Sequence, residues 1–248
     1  MKKNLPFIFL GVAVLFVIGI IAYSKMSSTP EVVEEVAEEE TAPEIPFDQR
    51  PVVTLTPKAD GHWLSLKLTG INRLTNATTV EYEALYEAGD GRQQGSSGKT
   101  QIAGKTAYDS DILLGSESSG KFRYDTGVEK GTLTIKYRDQ KGKLAGKLTT
   151  DFHFQTATDV LTSVDGTFTF KLDKPSKKGF FVTMNTFGVP QGLDGLAQGP
   201  VGVFSSETVK LPGTVTLEGS KVWLWNDASW MPVSSNKAPN IGIFASSN

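Results

Sequence analysis

The chain has 248 residues, of which 39% are hydrophobic and 21% charged, with a formal charge of −2, two histidines and no cysteine. That composition supports a packed core and argues against a bulk electrostatic grip on nucleic acid. It removes disulfides, thiolate nucleophiles, thiolate metal sites and lipid attachment through cysteine, and leaves only His62 and His153 for imidazole chemistry.

The N-terminus carries the strongest signal. Lys2 and Lys3 precede an uncharged run from Leu5 to Tyr23. As a helix it spans about 28 Å, close to a hydrocarbon core of about 30 Å. Residues 1–23 are therefore expected to be a transmembrane anchor with a short cytoplasmic tail. A cleaved signal peptide competes, with Ala22-Tyr23-Ser24 as its small-x-small site, but the run exceeds the usual h-region of about 7–15 residues. The lysines put the N-terminus in the cytoplasm by the positive-inside rule. The expectation is a single-pass protein of the cell membrane with most of its chain extracytoplasmic.

Residues 24–46 read as an acidic, proline-punctuated linker. Glu31, Glu34, Glu35, Glu38, Glu39, Glu40 and Glu44 face no basic residue between them. Self-repulsion extends such a segment into a spacer. Of the 25 basic residues, 22 lie beyond the linker, against 20 of the 27 acidic ones. The rest of the chain is near neutral and gives no field for steering a polyanion.

From residue 47 onward, apolar residues alternate with polar ones. The pattern covers Leu64–Leu68, Val80–Tyr86, Leu133–Tyr137, Phe168–Leu172 and Val222–Trp225, and Phe152 and Phe154 flank His153. Period two describes half-buried antiparallel strands. Turn residues separate them at Asp60-Gly61, Gly89-Asp90-Gly91, Lys141-Gly142-Lys143 and Asp165-Gly166. The expected class is all-β: an antiparallel β-sandwich behind the membrane helix, either two immunoglobulin-like units or one large sandwich. A break near Thr156–Asp159 would divide it into a unit of residues 47–155 and a second β-rich unit of 156–248. Gly188 to Gly202 reads as a long irregular loop. The stretch from Ser234 reads as a polar tail whose Ile241–Phe244 patch closes a sheet edge.

Catalytic motifs fail on their chemistry. Gly115-Ser116-Glu117-Ser118-Ser119-Gly120-Lys121 has P-loop spacing, but Phe122 replaces the Mg²⁺-binding hydroxyl and Phe122-Arg123-Tyr124 looks extended. Ser96, Ser118 and Ser234 each precede a lysine by three residues without the partner motifs of serine-lysine enzymes. Neither histidine sits beside a nucleophile elbow, and His153 should be exposed, facing away from Phe152 and Phe154. Asp109 and Asp111 offer oxygens for Ca²⁺ without the spacing of a known loop, and read as solvated loop acids. No enzyme, cofactor or metal site is expected. One site is worth naming: Trp223, Trp225 and Trp230, with Asn226 and Asp227 between them, read as a hairpin with its indoles on one face. Sugar rings stack on such faces while Asn and Asp read hydroxyls; burial of tryptophan in a core is the commoner use. The functional expectation is a structural or protein-interaction role in the cell envelope. The alternative is a carbohydrate-binding module for cell-wall glycan. Envelope proteins, glycan and the membrane are the expected partners, and nucleic acid is not.

Overall fold

The structure is a computed structural model that describes residues 42–248. The expected anchor, and the linker up to residue 41, lie outside the described residues. Among those described, no helix is long and apolar enough to cross a membrane, and the single helical element is a 3₁₀ turn at Phe47–Gln49.

The rest is strand. In chain order these are β1 (Val52–Pro57), β2 (Trp63–Thr69), β3 (Thr79–Glu87), β4 (Gln93–Gln101), β5 (Ala107–Leu113), β6 (Gly115–Ser118), β7 (Lys121–Tyr124), β8 (Lys130–Arg138) and β9 (Leu144–Thr156). There follow β10 (Val160–Thr162), β11 (Phe168–Leu172), β12 (Phe180–Asn185), β13 (Leu196–Ser205), β14 (Gly213–Leu217), β15 (Lys221–Trp225), β16 (Trp230–Pro232), β17 (Lys237–Ala238) and β18 (Ile243–Ser247). All five alternating segments read from the sequence are strands, and each of the four glycine turns joins two consecutive strands. The described residues are all-β and sandwich-like.

Its frame is a nine-stranded antiparallel sheet in the order β16-β15-β18-β13-β12-β9-β8-β3-β4. Two smaller sheets cover it on opposite faces. The three strands β1-β2-β5 enclose one core with Tyr82, Ile135, Tyr137, Phe152, Val182 and Met184. The four strands β10-β11-β14-β17 enclose the other with Phe181, Val203, Leu224 and Phe244. Side chains one residue apart on a strand point to opposite faces, so β12 serves both cores: Phe181 goes to one, Val182 and Met184 to the other. Phe244 sits between Phe168 and Phe170, with ring centroids 5.6 and 5.5 Å away.

This arrangement bears on several expectations. β9 ends at Thr156, where the sequence places a break, yet β9 and β12 pair across that point through five residue pairs. Ile45, read as linker, is buried in the first core against Gly146 and Leu74. The expected loop Gly188–Gly202 is partly strand, because β13 begins at Leu196 and accommodates its Gly-Pro step through register shifts against β18. The Ile241–Phe244 patch is no edge. β18 lies between β13 and β15, and its residues Ile243–Ser247 are all buried. An apolar residue count of two or three gives no hint of centrality when polar Ser246 and Ser247 are buried as well. They are accommodated because Ser246 Oγ donates to the Glu218 carbonyl and Ser247 Oγ accepts from Trp223.

Candidate functional site: the exposed aromatic surfaces

The tryptophan hairpin forms as the sequence suggests. Antiparallel pairing sets Trp223 opposite Pro232 and Trp225 opposite Trp230, so the three indoles share one face while Val222 and Leu224 enter the second core. All three indoles are half-buried. Trp225 and Trp230 meet edge to face, 5.5 Å apart at 67°, and make a corner. Trp223 Nε1 donates to Ser247 Oγ at 3.0 Å, and Trp230 Nε1 donates to the Gln191 carbonyl at 2.8 Å. The loop before β13 thus leans over the indole face. Asn226 is engaged in the turn itself, its Oδ1 accepting from the amides of Ala228 and Ser229 at 3.2 and 2.8 Å. Asp227 is exposed and adopts φ +71°, which its short polar side chain tolerates.

A second aromatic surface is more open. The near-P-loop segment is the hairpin β6–β7, with Phe122-Arg123-Tyr124 extended as its spacing implies. Phe122 and Tyr124 lie two apart on one strand and therefore on one side. Their planes are parallel within 2°, their centroids are 6.2 Å apart, and they remain 45% and 41% exposed. His62 stacks on Tyr124 at 3.9 Å and 7°, and Trp63 meets Phe122 edge to face at 5.7 Å. Lys58 lies 5.6 Å over the Trp63 ring and pairs with Asp111. A chain read as strand from Lys121 to Tyr124 carries this alternation in plain view; attention to the glycine spacing hides it.

The loop after β7 anchors this hairpin. Asp125, with a side chain only 3% exposed, accepts from the Tyr86 hydroxyl at 3.0 Å and from Arg92 at 3.1 Å. Burial first, and then the bond to Asp125, pushes the Tyr86 phenol well above its usual range. Arg92 also grips Asp90 at 2.7 Å, which holds that carboxyl below its ordinary value and raises the guanidinium.

His62 and His153 both line a cavity of about 540 Å³, together with Asp60, Asp125, Glu129 and Phe180. The expected exposure of His153 is corrected: it does face away from Phe152 and Phe154, but β10 covers it. The Thr162 carbonyl accepts from Nδ1 at 2.8 Å, which places the hydrogen on Nδ1. Asp109 and Asp111 stand on β5, not on a loop, and Asp111 is tied to Lys58. Among the described residues no three acidic or histidine side chains gather as a metal site.

The face of β4, β3, β8 and β9 turned away from the first core carries a polar ladder. Glu81 pairs with Arg138, Glu83 with Lys136, and the Thr132 hydroxyl donates to Asp151 at 2.9 Å. The turn at Ser163–Gly166 hangs Val164 over its end, facing Leu85 across a depression of about 370 Å³.

No family model matches the chain, and no curated protein matches it in sequence.

Proposed function

We propose that residues 47–248 are a non-catalytic ectodomain with a structural or protein-interaction role in the cell envelope, held off the membrane by the acidic stalk and the helix of residues 5–23. The observation that carries this reading is the β6–β7 hairpin. Folding buries most large apolar side chains here, yet Phe122 and Tyr124 stand 45% and 41% exposed on rings that His62 and Trp63 brace. Exposed, pre-ordered aromatics are the usual anchors of a contact surface, since little entropy remains to be lost on binding. The grouping of the sandwich belongs to the same reading, and shared use of β12 by both cores favours one large sandwich over two immunoglobulin-like units.

Two measurements test it. Protease added to intact spheroplasts should digest residues 47–248, and protection of that part would refute the orientation. A photo-cross-linking residue at position 122 in the full chain should give discrete adducts with envelope proteins in cells. The same residue at Lys147, on the open polar face, should not. Equal patterns at both positions, or none at 122, would remove the hairpin as the contact.

The carbohydrate reading is kept for the tryptophan hairpin, because its indoles are half-exposed beside the exposed Asp227 carboxylate. Binding of the full chain to purified cell-wall glycan should then weaken on Trp225→Ala by roughly 1–3 kcal/mol, by analogy with aromatic stacking on bases. Unchanged binding with an unchanged fold would eliminate Trp225.

A further inference from the structure

The edges of the sheets differ. At one end of the nine-stranded sheet, β16 has three residues and closes with Pro232. In the four-stranded sheet the edges β10 and β17 have three and two residues. β1 ends in Pro57 and is tied inward, its Val53 amide donating to the Thr186 carbonyl at 3.0 Å. Short strands and prolines are how proteins blunt an edge. β5 is blunted by charge, with Asp109 and Asp111 exposed two residues apart.

β4 is neither short, nor closed by proline, nor lined by neighbouring acids. Its nine residues, Gln93–Gln101, pair with β3 in unbroken register, contain no proline and carry one charge, Lys99. Among the described residues its backbone bonds to no strand but β3. Such an edge is a template for another strand.

The sequence of β4 also selects which strand. An antiparallel copy centred on Ser97 sets Ser97 opposite itself, Gly95 opposite Lys99 and Gln93 opposite Gln101, with all of these on the exposed side. No like charges meet. The same operation on β5, centred on Ser110, would set Asp109 against Asp111, and directly opposed like charges destabilise a pair. Gly95 has a further consequence. Its missing Cβ leaves Leu85, 45% exposed, lying over the strand. Lys99 of a second copy, opposite Gly95, brings its aliphatic stem to Leu85 and its ammonium to the face that carries Glu83 and Glu87. Glu87 has no ion pair among the described residues.

We infer that β4 is a homodimerisation edge: two copies of this chain pair β4 antiparallel about Ser97 and join their nine-stranded sheets into one. This goes beyond the interaction reading by naming a partner, and it rests on a different surface from the β6–β7 hairpin, so the two fail independently.

The test is the mass of the full chain in detergent micelles, with the micelle subtracted. Wild type should be a dimer. Ser97→Lys sets lysine against lysine across the two-fold axis and should give the monomer, half the mass, with an unchanged circular dichroism spectrum. Ser97→Glu should do the same, and an equimolar mixture of the two variants should recover the dimer. Because the chain has no cysteine, oxidation of Ser97→Cys should yield a disulfide-linked dimer, whereas Ser118→Cys on β6 should not. A monomeric wild type overturns the proposal. So does a dimer that Ser97→Lys leaves intact, since that dimer would use another surface.

Discussion

At the scale of single residues, unmatched and matched polar atoms in the cores make opposite predictions. The Tyr137 and Thr183 hydroxyls are buried and find no partner among the described residues, and burial pushes the Tyr137 phenol far above its usual range. A buried hydroxyl without a partner forfeits its hydration, so Tyr137→Phe and Thr183→Val should each raise stability, by about 1 kcal/mol, as a higher denaturant midpoint with an unchanged slope. Asp125 is the reverse case. Asp125→Ala strips the Tyr86 hydroxyl and Arg92 of their acceptor, and should cost about 1–3 kcal/mol in the same assay. Asp165 links stability to pH. The Ser163 hydroxyl first, with the Thr167 amide and hydroxyl, holds its carboxyl below the ordinary value. A depressed carboxyl contributes stability that is present above the unfolded value near ~3.9 and lost as pH falls through the lower folded value. Urea midpoints at about pH 7 and about pH 3 should therefore differ more in wild type than in Asp165→Asn.

Among the elements, β18 decides the most. It is the last strand in the chain, yet it hydrogen-bonds to both β13 and β15 and places Phe244 between Phe168 and Phe170. Deleting residues 241–248 would leave β15 and β16 detached and the second core open, so the truncated chain should lose its cooperative transition. Phe244→Ala is the milder probe; it should keep the fold and cost about 3–5 kcal/mol by denaturant titration, the range for emptying a buried aromatic site. β6–β7 behaves differently. Apart from Gly115 its residues are exposed, and Trp63, His62 and the Asp125 clamp brace it against the first core. This is an element that the fold carries without depending on it.

Across the whole molecule, β12 ties the two cores together. Cutting at Thr156 would leave the first core without Val182, Met184 and Phe187, so unfolding should be one transition, with near- and far-ultraviolet circular dichroism changing together. Much of this was legible in the chain. Period-two alternation and glycine turns are local consequences of the pleat and of backbone sterics, so they identified the all-β class, five strands and the shared face of Trp223, Trp225 and Trp230. The hydrophobic run at residues 5–23 is equally local, which is why anchoring can be proposed from sequence. Sequence could not show which face is covered or which edge is free, because those depend on partners far along the chain. His153 looks exposed until β10 closes over it. Ile241–Phe244 looks like an edge until β13 and β15 take either side. Phe122 and Tyr124 look like any strand pair until no described sheet covers them, and β4, an unremarkable run of Gln, Gly and Ser, becomes the longest unprotected edge among the described residues only once β3 has paired one of its sides and no other described strand has paired the other.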